Sequence, residues 1–442
     1  MRKRIWETYN SFYFIGAGGV SMSALAKFLL LKGAKVAGSD KSHSVYVDDL
    51  TALGAEIFVG DCKKSIEEFD VIVYTDAINE SNLQLAQARG LNKVVLSRGQ
   101  LLTEISRSFE RVIAISGCHG KTTAASMLAH IFMTAEKGFC AHIGGRDAGL
   151  SNFYYCGNEY FITEACEYKQ NFLLLKPDIA VVLNTDPDHL ECYGNAENLR
   201  LAYKRFAGSA EIAVTPFNDL LIGGLTFGYD KNADYSAENI IENSGKFSFD
   251  ICEKGVNCGK VSLCVYGKHN VLNALAAAAA ARAAGISFEA VKKGLLSFTG
   301  VERRFEHIGN ANGAEIIADY AHHPDEIAAA INTANSIVKG RLLVIFQPHT
   351  YSRTKNLFKD FIKALSPLEN LLVYRTFAAR EYFDDAGSAL TLSQGLCNSR
   401  YGDEIRDISE FMSGAQSGDI ILVLGAGDIY ELAKSAAANF SA

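Results

Sequence analysis

Three times along the chain, short apolar runs alternate with stretches of helical periodicity, and this alternation leaves few architectures open. A strand that returns through a helix to a parallel neighbour forms a βαβ unit, and parallel strands are covered on both faces, so they read as nearly unbroken hydrophobic runs. The first series opens with FYFIGAGGVSMSALAKFLLLKGAKVAGSD and continues through FDVIVYTDAI and LNKVVLS. The second contains RVIAIS, YFITEA and DIAVVLNTD, and the third AEIIADYA, RLLVIFQP, NLLVYRT and DIILVLGAG. The expected fold is α/β in three domains: a Rossmann-like domain over 1–107, a central P-loop ATPase-type domain over 108–300, and a dinucleotide-fold-like domain over 301–442. A length of 442 residues agrees with three domains of about 150 residues each. Between Ala213 and Val265 the pattern is less regular, β-leaning and rich in turns. The alanine run before Arg282 reads as a closely packed helix, since alanine has the highest helix propensity.

Composition narrows the class of function. A formal charge of -7 argues against a dedicated nucleic-acid or anionic-membrane binder, both of which need a basic face. No apolar run approaches the roughly 20 residues that span a bilayer, and MRKRIWETYN has no signal-peptide core, so a cytoplasmic protein is expected. The 10 cysteines lack close CxxC pairs, which fits reduced thiols. Cys252, Cys258 and Cys264 recur at a spacing poor for zinc and read as incidental thiols of a strand-rich stretch.

Chemistry concentrates at the ends of strands. RVIAIS leads through Gly117, Cys118, His119 and Gly120 into a helix that begins Lys121, Thr122, Thr123. Backbone N–H groups and the positive end of that helix hold phosphate oxygens, the lysine reaches the terminal phosphates and the Thr122 hydroxyl suits magnesium. The loop is shorter than a standard phosphate loop, whose first glycine would fall at Ile115. Glu164 ends YFITEA and His189 follows DIAVVLNTD, both on the strand edge where open α/β sheets bind ligands. The first series carries its own glycine turn, with Gly16, Gly18 and Gly19, and Ser21 standing where the dinucleotide fingerprint has a third glycine. Asp40 ends the next strand, where a carboxylate can accept from ribose hydroxyls. In the third series, DYAHHPDE and QPHTYSRT place His322, His323, His349 and Arg353 after strands, a set suited to a small carboxylate.

The order GAGGVSMSALA, GCHGKTT, TEACEY, NTDPDHLECY, GKHNVLNALAA, GVERRFE, DYAHHPDE, QPHTYSRT and GAGDIY resembles the Mur ligases of bacterial cell-wall synthesis. The resemblance covers nearly the whole chain. GKTT is shared with other amide ligases, including folylpolyglutamate synthetase, whereas DYAHHP followed by QPHxYSRT is far narrower. It implies ATP-dependent joining of L-alanine to the lactyl carboxylate of UDP-N-acetylmuramate in peptidoglycan precursor synthesis, with Mg2+. Gly16, Gly18, Gly19, Ser21 and Asp40 would hold the UDP sugar. The Gly117–Thr123 loop would bind ATP, with Asn270 and Asn273 at adenine, Asp319 at the ribose and Arg304 at the phosphates. Thr122, Glu164 and His189 would be the metal ligands. His322, His349 and Arg353 would place the amino acid, and Lys121, Arg304, His322 and His323 would carry the chemistry. Substrates contributed by three domains imply closure around them. Partners are these small molecules, without nucleic acid or membrane, in a monomer or homodimer.

The chain departs from the family pattern at Cys118, where threonine is usual, at Thr350, where many relatives carry a second arginine, and at Asp61 and Thr75-Asp76. Other functions stay open at this point. They are a muropeptide-recycling ligase that attaches a tripeptide to the same sugar nucleotide, an inactive nucleotide-binding scaffold, and a nicotinamide-dependent oxidoreductase, which would leave GKTT unexplained. For Asn270 and Asn273 the local alternative is capping of the alanine helix.

Overall fold

The computed structural model describes residues 4–60, 66–79, 81–186, 190–219, 223–379 and 381–440. It holds three sheets and divides into two compact units. One consists of Met1–Ile240, Phe249–Ser262 and Asn270–Thr299, the other of Ile241–Ser248, Leu263–His269 and Gly300–Ala442.

The N-terminal sheet contains β1 (Ser11–Ile15), β2 (Lys35–Asp40), β3 (Glu56–Val59), β4 (Val71–Tyr74) and β5 (Val94–Ser97), in the order β3-β2-β1-β4-β5. All its pairings are parallel. Both faces are covered, which is why these strands read as continuous apolar runs. Phe12, Phe14, Val71 and Val73 enter one core, while Tyr13, Ile15 and Ile72 enter another.

The central sheet runs through β6 (Arg111–Ser116), β7 (Phe139–Asp147), β8 (Ser151–Tyr155), β9 (Tyr160–Glu164), β10 (Ile179–Val182), β11 (Ile212–Pro216), β12 (Leu225–Gly228), β13 (Tyr235–Asn243), β14 (Lys246–Glu253) and β15 (Val256–Tyr266). Its order is β15-β14-β13-β12-β11-β10-β6-β9-β7-β8. The turn-rich stretch of the sequence is thus the β11 to β15 side of this sheet. On β13 to β15 many side chains face solvent, so the pattern alternates instead of running apolar.

In the first unit one core of the N-terminal sheet continues beneath both sheets. Helix α1 (Val20–Leu31) contributes Phe28, whose ring lies 6.0 Å from Phe109 and 6.5 Å from Phe153. Phe109 stacks on Phe161 of β9 at 5.0 Å. A buried lysine adds a polar tie, with Lys27 Nζ donating to Asp49 at 2.8 Å and to Asn152 of β8 at 2.7 Å.

Two further helices position the phosphate loop. Helix α2 (Lys121–Thr134) follows it, and α3 (His269–Ala283) is the alanine-rich helix, buried throughout Ala274–Ala281 as expected of a closely packed helix. Helix α4 (Phe288–Ser297) packs on α2 at Gly294, where a Cβ would stand 2.4 Å from the Ile131 Cα. No helix of the described residues is long and apolar enough to cross a membrane.

The second unit is built on β16 (Glu306–Ala311), β17 (Ala314–Asp319), β18 (Leu342–Phe346), β19 (Asn370–Tyr374), β20 (Ser399–Gly402) and β21 (Ile420–Leu424), ordered β16-β17-β21-β18-β19-β20. Only the β16–β17 hairpin is antiparallel. Ile345 and Val423 face one core and Val344, Phe346 and Leu422 the other. Helix α5 (Pro324–Ile337) follows β17, and the short α6 (Tyr351–Asn356) follows β18.

Candidate active site

In the first unit the phosphate loop is shaped by residues distant in sequence. Gly117 and Gly120 have φ of +135° and +84°, where side chains are strained. A Cβ on Gly120 would also fall 2.4 Å from Asn273 Oδ1, so a side chain here would displace that amide. Asn184, just beyond β10, accepts from the N–H groups of Cys118 and His119 at 2.9 and 3.1 Å and donates to the His119 carbonyl at 3.0 Å. One amide side chain therefore holds three backbone groups of the loop.

Lys121 opens α2. Its ammonium donates to the Gly117 carbonyl, to the Cys118 carbonyl at 3.1 Å and to both Glu167 oxygens at 3.1 and 3.0 Å. Burial works against its charge, but the buried Glu167 carboxylate outweighs that and holds the ammonium above its ordinary range. Thr122, also buried, donates to Glu164 Oε2 at 3.2 Å. The other Glu164 oxygen accepts from the Gly144 N–H. Because β6 and β9 pair in register, Ile115 opposite Glu164, the carboxylate is brought to the start of the loop. A hydroxyl and a carboxylate so placed are hard oxygen donors, the set that magnesium uses when phosphates and water complete its shell.

Asn270 and Asn273 lie inside α3 and hydrogen bond to each other at 2.9 Å, with Asn273 against Gly120. Asn273 thus borders the phosphate loop; neither residue is the helix N-cap, since α3 already begins at His269. His189 and Asp61 lie outside the described residues. Thr123 is the third residue of α2.

At the N-terminal turn, Asp40 accepts from the Gly18 N–H at 2.8 Å and from the Ser42 N–H at 3.3 Å. Its carboxylate holds the turn itself. Gly16 precedes this bond, Gly19 is the N-cap of α1, and Ser21 lies in the first turn of α1, bonded to His142 and Arg98.

In the second unit, Arg304 is set between Arg303 and Phe305, both in the left-handed region at φ 63° and 51°. Its guanidinium lies over the Tyr320 ring at 5.1 Å. Arg303 is tied to the carbonyls of Gly425 and Gly427 at 3.1 and 2.8 Å. Asp319, at the end of β17, accepts from the N–H groups of Phe305 and Ala321, each at 2.8 Å. Burial raises its pKa to about 6, against the pull of the Arg304 charge.

Three of the third-series residues come together. The His322 and His349 rings are 5.7 Å apart, and Arg353 Nη1 is 3.3 Å from His349 Nδ1. Burial lowers both imidazole pKa values, that of His349 to about 4 with help from His322 and Arg353, so both rings are neutral at pH 7. His322 Nδ1 lies 2.9 Å from the Tyr320 carbonyl, which makes that nitrogen the donor and leaves Nε2 as an acceptor. His323 departs from the cluster and is the N-cap of α5. Thr350 caps α6 at φ 67°, accepting from the Arg353 N–H at 3.4 Å.

Sequence inspection missed Asn184 and Glu167. The signals were NTD at the end of an apolar strand, and a second glutamate three residues after Glu164 in TEACE.

Comparison with known proteins agrees along the whole length. The Mur ligase middle domain matches residues 115–281, the Mur ligase family catalytic domain residues 11–110, and the Mur ligase glutamate ligase domain residues 303–427. The UDP-N-acetylmuramate--L-alanine ligase of Clostridium acetobutylicum is 40% identical over 446 residues, covering 96% of each chain. That of Clostridium tetani is 39% identical, covering 95% of this chain and 96% of its own. Among solved structures, the UDP-N-acetylmuramate-alanine ligase of Thermotoga maritima superposes with a TM-score of 0.86 at 27% identity, covering 98% of this chain and 99% of its own. A murein peptide ligase from Psychrobacter arcticus, 22% identical and with a TM-score of 0.75 over 98% of this chain and 99% of its own, shares the fold.

Proposed function

The chain belongs to the Mur ligase family, and from that premise we propose that it joins L-alanine to the lactyl carboxylate of UDP-N-acetylmuramate, using ATP. The observation that carries this is the extent of the likeness: relatives bearing one enzyme name align with 95–96% of the chain.

The reaction activates a carboxylate. A lactyl oxygen attacks the γ-phosphorus of ATP, the bond to the β-phosphate oxygen breaks, and ADP leaves an acyl phosphate. The amine of alanine then attacks the acyl carbon and inorganic phosphate departs. The protein does little covalent work, so positioning and neutralisation of phosphoryl charge supply the rate. Lys121 turns from Glu167 and its own loop carbonyls to the terminal phosphates. Thr122 and Glu164 are the residues that would hold Mg2+, with His189 as a further ligand; bound there, the ion neutralises charge developing on the phosphates. Asn270 and Asn273 face adenine, Asp319 serves the ATP ribose and Arg304 the phosphoryl group. Gly16, Gly18, Gly19, Ser21 and Asp40 form the turn for the UDP sugar. His349 and Arg353 take the alanine carboxylate, and His322 Nε2 accepts the proton that the ammonium must lose before attack.

Phosphate release from ATP and UDP-N-acetylmuramate, with each amino acid or a preformed muropeptide tripeptide added singly, tests the proposal. L-alanine should give the highest kcat/KM. Preference for the tripeptide would make the enzyme a recycling ligase, and no release with any of them would refute turnover.

A further inference from the structure

A hydrogen-bond chain runs from the N-terminal sheet to β7 and β9 of the central sheet, and of its side chains the roles above use Ser21 alone. The strand order of the N-terminal sheet reverses between β1 and β4, and at such a reversal the carboxyl ends of the strands form the crevice where ligands bind. Ser21 follows β1 there, Asp76 follows β4, and Arg98 directly follows β5. Arg98 Nη1 donates to Ser21 Oγ at 3.3 Å, and Nη2 lies 3.8 Å from Asp76. Ser21 Oγ is 2.8 Å from His142 Nε2, and His142 Nδ1 is 2.9 Å from Thr163 Oγ1. The Thr163 hydroxyl donates to the Glu164 carbonyl at 3.1 Å.

The chain runs in one direction. Thr163 has a single O–H and gives it to a carbonyl, so toward His142 it accepts, and the imidazole proton sits on Nδ1. Nε2 then accepts the Ser21 O–H, which leaves Ser21 to accept from Arg98. Burial and the Arg98 charge keep the ring neutral, its pKa lowered to about 3, so this polarity persists at pH 7. A histidine on β7 thereby fixes the lone pair that aims a guanidinium beside the glycine turn.

That guanidinium has donors to spare. It carries five N–H groups and is 13% exposed. Among the described residues its hydrogen bond goes to Ser21, and its ion pair with Asp76 is long. Asp76 is itself engaged by Asn171 at 2.7 Å. Planar donors left over at the mouth of a ligand crevice suit an anionic oxygen.

We infer that Arg98 binds an anionic oxygen of the UDP sugar, from its diphosphate or its lactyl carboxylate, and that His142, acting through Ser21, is the residue that positions Arg98. This rests on the function proposed above. Arg98→Ala should raise KM for UDP-N-acetylmuramate about tenfold or more, the worth of a charge-assisted hydrogen bond, and leave KM for ATP unchanged. Arg98→Lys, which keeps the charge without the fork, should recover part of the loss. His142→Leu should raise the same constant by less, and the double variant should be no worse than Arg98→Ala, because aiming matters only while the guanidinium is present. Thr163→Val removes the acceptor that sets the tautomer and replaces His142→Leu if that variant does not fold.

An unchanged KM for the sugar in folded Arg98→Ala would overturn the assignment. Additive losses, or an ATP KM that moves with that of the sugar, would reduce His142 to structural support. With UDP as competitive inhibitor, a Ki that rises with the KM assigns the diphosphate, and an unchanged Ki assigns the lactyl carboxylate. Calorimetric binding of UDP-N-acetylmuramate to Arg98→Ala and wild type tests Arg98 even if no turnover occurs.

Discussion

Lys121 meets opposing demands: burial disfavours its charge, and Glu167 restores it. The carboxylate acts as a counter-ion that keeps the buried ammonium charged, the form in which it would meet ATP phosphates under the function proposed above. Lys121→Ala should therefore lower phosphate release by about a hundredfold or more, the scale of losing one preorganised charge-stabilising group. UDP-N-acetylmuramate binding, measured by calorimetry, should stay within about twofold, because its candidate contacts lie on the N-terminal sheet. Equal loss of both would contradict the division of roles. The phosphate loop was legible in the sequence because its cradle is contiguous: Gly117 to Thr122 carry both the backbone conformation and the charge. Asn184, Glu167 and His142 were not, since each works on a group far from it in sequence and looks alone like an ordinary polar residue near a strand. Asp40 illustrates the other side. Its position was readable, but its bond to the Gly18 N–H depends on how the turn folds back on β2.

At the scale of elements, the parallel strands were readable because burial on both faces leaves an apolar run, as in FYFI and IILVL. The long strands β13 to β15 read only as β-leaning, because partial exposure dilutes the hydrophobic signal. The approach of α4 to α2 left no signal beyond a glycine in a helix. It depends on Gly294, where a Cβ would meet the Ile131 backbone. In an exposed helix, glycine to alanine gains up to about 1 kcal/mol, but overpacking here costs about 1–3 kcal/mol. Gly294→Ala should lower the thermal midpoint by a few degrees and raise KM for ATP, because α2 carries Lys121 at its first turn. An unchanged or higher midpoint in calorimetry would show that the helices have room.

Across the whole molecule, three buried or partly buried imidazoles are held neutral. Burial lowers His142 to about 3, His349 to about 4, and His322 below its usual value. The unfolded chain takes up protons near pH 6.5 that the native state refuses, so the stability these groups contribute is full above pH 6.5 and is lost as pH falls toward 4. Asp319, raised to about 6, opposes this, favouring the native state as pH falls from 6 toward 4. With histidines outnumbering it, denaturant unfolding should show lower stability at pH 5 than at pH 7, and His349→Gln should flatten the slope. Equal stability at the two pH values would mean the rings ionise freely. The aromatic series from Phe28 through Phe109 to Phe161 has a practical consequence for gene shuffling. A crossover near Ser106 would part Phe28 from Phe109 and Phe153, the rings it packs against at 6.0 and 6.5 Å, and leave each half with an oily scar, so chimaeras should inherit the N-terminal and central sheets from one parent.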